Sequence, residues 1–150
     1  LFPRQYRNFI NGIGGLLGTL GSAISQVFQL IRTKAIAIGN SLSNTVSKAK
    51  TKIRNESKRF EYWIAIKLNL GRGATYFPSK GISYSYAISF VRKGGDVFAK
   101  NASKAKQLAR AVGNGRAPTR AEIHSKNGST LGYWWHYHDG RRTGGHIFYV

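Results

Sequence analysis

Four histidines, His124, His136, His138 and His146, are the only imidazoles in the chain, and all of them fall between residues 124 and 150. Two lie at i, i+2 in the string GYWWHYH, residues 132–138, and another opens HIFYV, residues 146–150, with DGRRTGG between. If both strings are strands, alternation puts Trp134, His136 and His138 on one face and Tyr133, Trp135 and Tyr137 on the other. An antiparallel return through the glycine-rich turn then brings His146 beside the first pair. Arg141, Arg142 and Thr143 occupy that turn, where guanidinium donors, a hydroxyl and glycine amides could meet a phosphate together. RNA supplies its own nucleophile for such a site. One imidazole takes the 2′-hydroxyl proton, a second protonates the departing 5′-oxygen, and a cation stabilises the phosphorane. That scheme needs no metal or other cofactor.

Two other readings of the same residues stay open. His136-x-His138 with His146 also suits a three-imidazole metal site, although Asp139 is the one carboxylate nearby and the arginines oppose a cation. Any single histidine could also be a structural residue hydrogen-bonded within an aromatic sheet. The tyrosines divide the same way, as core or as base-stacking platforms, with Tyr137 and Tyr149 nearest the site.

Composition narrows the partners. Against 24 Lys and Arg the 150-residue chain sets five acids, Glu56, Glu61, Asp96, Glu122 and Asp139, for a formal charge of +19. Such a field draws polyanions, which leaves nucleic acid, an anionic membrane or an acidic protein. The acids are too dispersed to build a two-metal nuclease centre. With no cysteine there is no disulfide framework and no thiolate zinc site. The chain starts without methionine and contains none, which suggests a piece of a longer polypeptide or a processed product, and nothing in it resembles a signal peptide.

The elements that must position the histidines follow from pattern. Residues 8–31 carry no charge and space Gly14, Gly18 and Ser22 by four, a candidate membrane-inserting segment or, given its Gln, Asn and Ser content, a glycine-rich helical linker. Residues 32–59 read as a basic amphipathic helix with a stripe at Ile38, Leu42, Val46 or Thr45, and Ala49. At Phe60 the chain turns aromatic and β-branched, and we expect an element over 61–70, then a hairpin of strands near 74–77 and 82–91. A helix is expected over 96–112, stopping at Gly113. Helix followed by short antiparallel strands makes an α+β domain over 60–150, with 1–59 as a mainly helical extension.

The strings FAKNASKAKQLARAVGNGRAPTRAEIH and GYWWHYHDGRRTGGHIFYV, within residues 92–150, resemble the C-terminal toxin domains of bacterial polymorphic toxins, including those behind LXG-type secretion domains. The layout, one helix before an antiparallel sheet, is also similar to the barnase, EndoU, colicin E5/D and RelE group of ribonucleases, which is analogy at the level of fold. The resemblance implies a metal-independent endoribonuclease, often directed at tRNA. It further implies a secreted effector acting in the cytoplasm of a target bacterium, neutralised in the producer by an acidic immunity protein and monomeric when free. Carried onto this chain, the functional set is His136, His138 and His146, with His124 a further candidate, Arg141 or Arg142, Thr143 and Tyr149. Tyr137 and Lys126 are expected to contact substrate. A toxin that inserts residues 8–31 into a membrane, or a histidine-rich metal-dependent nuclease, is the alternative.

Overall fold

The computed structural model describes residues 23–70 and 73–150. The uncharged stretch before Ala23, which carries most of the candidate membrane segment, lies outside them. Among the described residues no helix is long and apolar enough to cross a membrane.

Helix α1, Ala23–Glu56, is the longest element. Its C-terminal half is amphipathic as the pattern requires. Thr45, Ala49 and Ile53 recur every fourth residue and are buried, while Lys48, Lys50 and Arg54 are exposed. Strands β1, Tyr62–Leu70, and β2, Gly73–Ile82, form an antiparallel hairpin with an irregular step between Trp63 and Ala65. β2 is the sheet edge, which is where Pro78, lacking a donor, is tolerated.

The stretch expected as a strand over 82–91 is instead helix α2, Tyr84–Arg92. Ser83 caps it, its side chain accepting from the Tyr86 amide at 3.2 Å. Ala87 and Val91, one turn apart, are its buried face, and the Ser–Tyr alternation that suggests a strand falls on the exposed first turn. The expected helix over 96–112 divides in two. Val97–Ala99 is β3, a central strand buried on both sides and so without alternation. Ala102–Val112 is α3, capped by Asn101 accepting from the Lys104 amide at 2.9 Å. The last strands are shorter than their strings, β4 being His136–Tyr137 and β5 Ile147–Tyr149.

The fold is α+β, with a five-stranded sheet in the order β2-β1-β3-β5-β4. It is mixed rather than wholly antiparallel, because β3 and β5 run parallel. Two cores cover its faces. On one face Tyr62, Val97 and Ile147 of the sheet share a core with Val91 of α2 and Leu108 of α3, flanked by Tyr137 and Tyr149. On the opposite face Ala49 and Ile53 of α1 join Trp63, Phe98, Trp134 and Phe148. The end of α1 therefore shares a core with the sheet. Phe98 meets Trp134 edge-on at 5.1 Å and Phe148 at 5.3 Å, aromatic pairings that add to plain area burial.

The parallel β3–β5 contact depends on glycine. A Cβ on Gly145 would lie 1.9 Å from the Gly95 carbonyl oxygen, and one on Gly144 would lie 2.7 Å from that of Val91. Both obstacles are backbone and cannot swing aside. The Gly145 amide donates to Val91 O at 3.0 Å, and the Val97 amide to His146 O at 3.0 Å. Gly145→Ala should therefore destabilise the fold by at least about 1–3 kcal/mol, read as a lower midpoint in thermal or urea unfolding. A midpoint equal to wild type would contradict this packing.

Candidate active site

The four imidazoles converge on the α1 side of the sheet. His136 is their hub, fully buried, with ring centroids 5.0 Å from His124, 5.1 Å from His138 and 5.1 Å from His146. His138 and His146 are 4.7 Å apart. The expected alternation holds locally. Trp134 and His136 face this core, and antiparallel pairing sets His136 opposite Phe148, whose ring stacks on that of His146 at 5.4 Å. His124 arrives from a separate segment. Glu122 forms a bridge with His136 through amide-to-carbonyl bonds of 3.0 and 2.9 Å, extending the sheet edge and delivering the EIH string to the cluster.

Each ring has a different environment. His146 places Nδ1 2.9 Å from Asp96 Oδ1, and its own backbone amide donates to the same oxygen at 2.7 Å. Burial opposes ionisation of Asp96, but these bonds, with a smaller contribution from Tyr76, hold its carboxyl below the ordinary range. Burial and the same carboxylate push the Tyr76 hydroxyl up. His136 Nδ1 lies 3.2 Å from the Trp134 carbonyl, which fixes Nδ1 as the protonated nitrogen and leaves Nε2 as a buried lone pair. That Nε2 and the Nδ1 of His138 have no protein hydrogen-bond partner among the described residues. Burial lowers the His136 pKa against the Trp134 hydrogen bond, which raises it, and burial, with neighbouring imidazoles and Arg142 adding to it, takes His138 down to about 4. Both rings are thereby biased toward the neutral form.

The turn assigned to phosphate binding is differently employed. Asp139 is buried and gathers the Thr143 hydroxyl at 2.9 Å, the Thr143 amide at 3.3 Å and the Gly144 amide at 2.9 Å. The Thr143 hydroxyl is thus committed to shaping the turn. Arg142 adopts positive φ, 55°, and pairs with Glu122 at the rim. Arg141 is exposed. Tyr149 and Tyr137 are not brought to the histidines, since they stack on each other at 5.6 Å on the α2–α3 side.

Beside His124 and His146 opens a cleft of about 470 Å³, bordered also by Lys67, Tyr76, Lys126 and Tyr133. Lys126 thus lies where a substrate contact was expected. The residues that pattern did not supply are Asp96, Tyr76 and Glu122. The available signal was the pairing of two Gly-Gly strings, GGD at 94–96 and GGH at 144–146, each of which delivers one member of the Asp96–His146 pair.

Compared with protein-family models, with curated proteins and with solved structures, the chain matches none.

For Asp139 burial favours the neutral acid, yet hydrogen bonds from Gly144, Thr143 and Arg141 outweigh it and lower its pKa. A depressed carboxyl pKa adds stability that is present above the unfolded value near about 4 and is lost as pH falls through the folded value. Asp139→Asn should cost about 1–3 kcal/mol at pH 7, and its deficit against wild type should shrink in urea titrations carried below about pH 4. A deficit unchanged by acid would show that the charge is not what stabilises the turn.

Proposed function

We propose that this chain is an endoribonuclease of the interbacterial toxin type, cleaving RNA by attack of the 2′-hydroxyl on the adjacent phosphate. The observation that carries the reading is a carboxylate-oriented imidazole, His146 on Asp96, which lines an open cleft and has its ring 4.7 Å from a second imidazole, His138. In the step proposed, one imidazole takes the 2′-hydroxyl proton as the 2′-oxygen bonds to phosphorus. The other gives a proton to the 5′-oxygen as its bond to phosphorus breaks, leaving a 2′,3′-cyclic phosphate. Asp96 fixes the His146 tautomer and ring orientation, the service a carboxylate gives a catalytic histidine in hydrolases. His138 is the partner best suited, because the hub His136 is wholly enclosed.

Supporting features lie around the pair. The cleft has the size for a nucleotide, with aromatic walls at Tyr76 and Tyr133 and ammonium groups at Lys67 and Lys126. Arg142 stands at the rim, paired with Glu122 in a contact that a phosphate can exchange for its own. Thr143 belongs to the turn that holds Arg142, and Tyr149 and Tyr137 to the support of β5, so neither tyrosine is given a chemical role. The net charge of +19 suits both an RNA substrate, tRNA being the proposed class, and an acidic immunity protein covering the cleft in the producing cell. Action in the cytoplasm of a recipient bacterium after secretion belongs to the same proposal.

Purified protein incubated with total RNA in EDTA should yield fragments ending in cyclic phosphate. His146→Ala should lower turnover at least about a hundredfold, and Asp96→Asn should lower kcat with little change in KM, both variants retaining wild-type circular dichroism. Intact RNA, or wild-type rates in folded His146→Ala, would overturn the reading.

A further inference from the structure

The imidazole cluster has a feature that proton transfer alone does not use. His124, His136 and His146 each offer a ring nitrogen, and these three atoms lie within 4.8 Å of one another. Two are already oriented as metal ligands are. His136 gives Nδ1 to the Trp134 carbonyl and His146 gives Nδ1 to Asp96, so both retain Nε2 lone pairs with the tautomer fixed by an outer partner. Independently, the His136 side chain is wholly buried and its Nε2 meets no protein donor among the described residues. A buried acceptor without a partner is costly, and a bound cation satisfies it.

We propose that His124, His136 and His146 together bind one late first-row transition ion of the zinc class, and that this binding silences the ribonuclease by occupying the lone pairs that move protons. Imidazole is a preferred donor for such ions, and three neutral imidazoles with an open fourth position form a known type of zinc set. Nitrogens about 2.0–2.1 Å from a tetrahedral ion are about 3.4 Å apart. The rings must close in somewhat, and the exposed His124 and part-exposed His146 are free to do so. The objection from nearby arginine is answered locally, because Arg142 is neutralised by Glu122 while Asp96 adds negative charge behind His146. The other grouping, Glu122 with His136 and His138, is disfavoured for the same reason, since Glu122 is held by Arg142.

Binding stands on this geometry by itself, whereas the inhibitory consequence rests on the ribonuclease reading. The test is calorimetric titration of zinc into EDTA-stripped, dialysed protein, alongside RNA cleavage with and without zinc. One ion per chain should bind saturably. His124→Ala and His146→Ala should each weaken it at least about tenfold, Asp96→Asn about 10–100-fold, and His138→Ala not at all. His124 is exposed, so its variant stays folded even where others falter. No saturable binding, or an affinity indifferent to both His124→Ala and His146→Ala, overturns the site. Cleavage in EDTA that zinc suppresses supports the whole proposal. Cleavage that zinc restores upholds the site but overturns inhibition and the metal-free mechanism together. Absence of cleavage under both conditions with zinc binding intact overturns the ribonuclease reading and leaves the metal site standing.

Discussion

The close approach of Gly145 to the Gly95 carbonyl, which leaves no room for a Cβ, is the constraint on which the site depends. It seats the start of β5 beside the start of β3, and only then can the amide and ring of His146 both reach the Asp96 carboxylate. A residue with a side chain at 145 would hold the strands apart, and the oriented imidazole would be lost with the pairing. Fold and chemistry are linked here by one steric fact. β5 sets Phe148 against Phe98 of β3 and against His136 of β4, so the aromatic core and the histidine hub are positioned by the same strand.

A chain of charge +19 has little negative charge with which to organise itself, and each of its five carboxylates is engaged. Glu56 meets Lys52 and the Trp63 indole, and Glu61 meets Lys100 and Lys104. The other three, Asp96, Glu122 and Asp139, are gathered at the histidine end of the sheet. There each does a different task, orienting a ring, neutralising an arginine, or closing a turn. Exposed ion pairs of the first kind contribute little to stability. The buried Asp139 accepts several bonds at once and fixes the conformation of the loop that carries Arg142.

Much of this was legible in sequence because strand alternation is a rigid rule. Once GYWWHYH and HIFYV are strands, His136, His138 and His146 must come together, and they do. Legibility failed where geometry is set by distant backbone. Asp96 looked like a helix start, since nothing local says that β3 lies beside β5. Ser–Tyr alternation over 83–86 imitated a strand because an N-cap and an exposed first turn place no demand on periodicity. Val97–Ala99, buried on both sides, shows no alternation at all. Thr143 looked available to a phosphate, but its hydroxyl is taken by a carboxylate four residues earlier, a local bond that turn chemistry does favour. Tyr149 lies on the opposite face from His146, as the same alternation that found the histidines requires.

Four imidazoles within touching distance cannot all be charged, and the structure sorts them by what lies behind each ring. Asp96 orients the His146 ring through Nδ1, whereas burial disfavours the charged forms of His136 and His138. The result is a cluster in which His146 is oriented by a carboxylate and His136 by a backbone carbonyl. An aromatic pocket would be more stable if those positions were apolar, since each buried unpartnered acceptor costs about 1–3 kcal/mol. His136 Nε2 and His138 Nδ1 are two such atoms within one cluster. A fold that maintains both holds unpartnered nitrogen at the expense of stability, an exception to the rule that buried polar atoms are hydrogen-bonded and the observation on which the metal-site proposal rests.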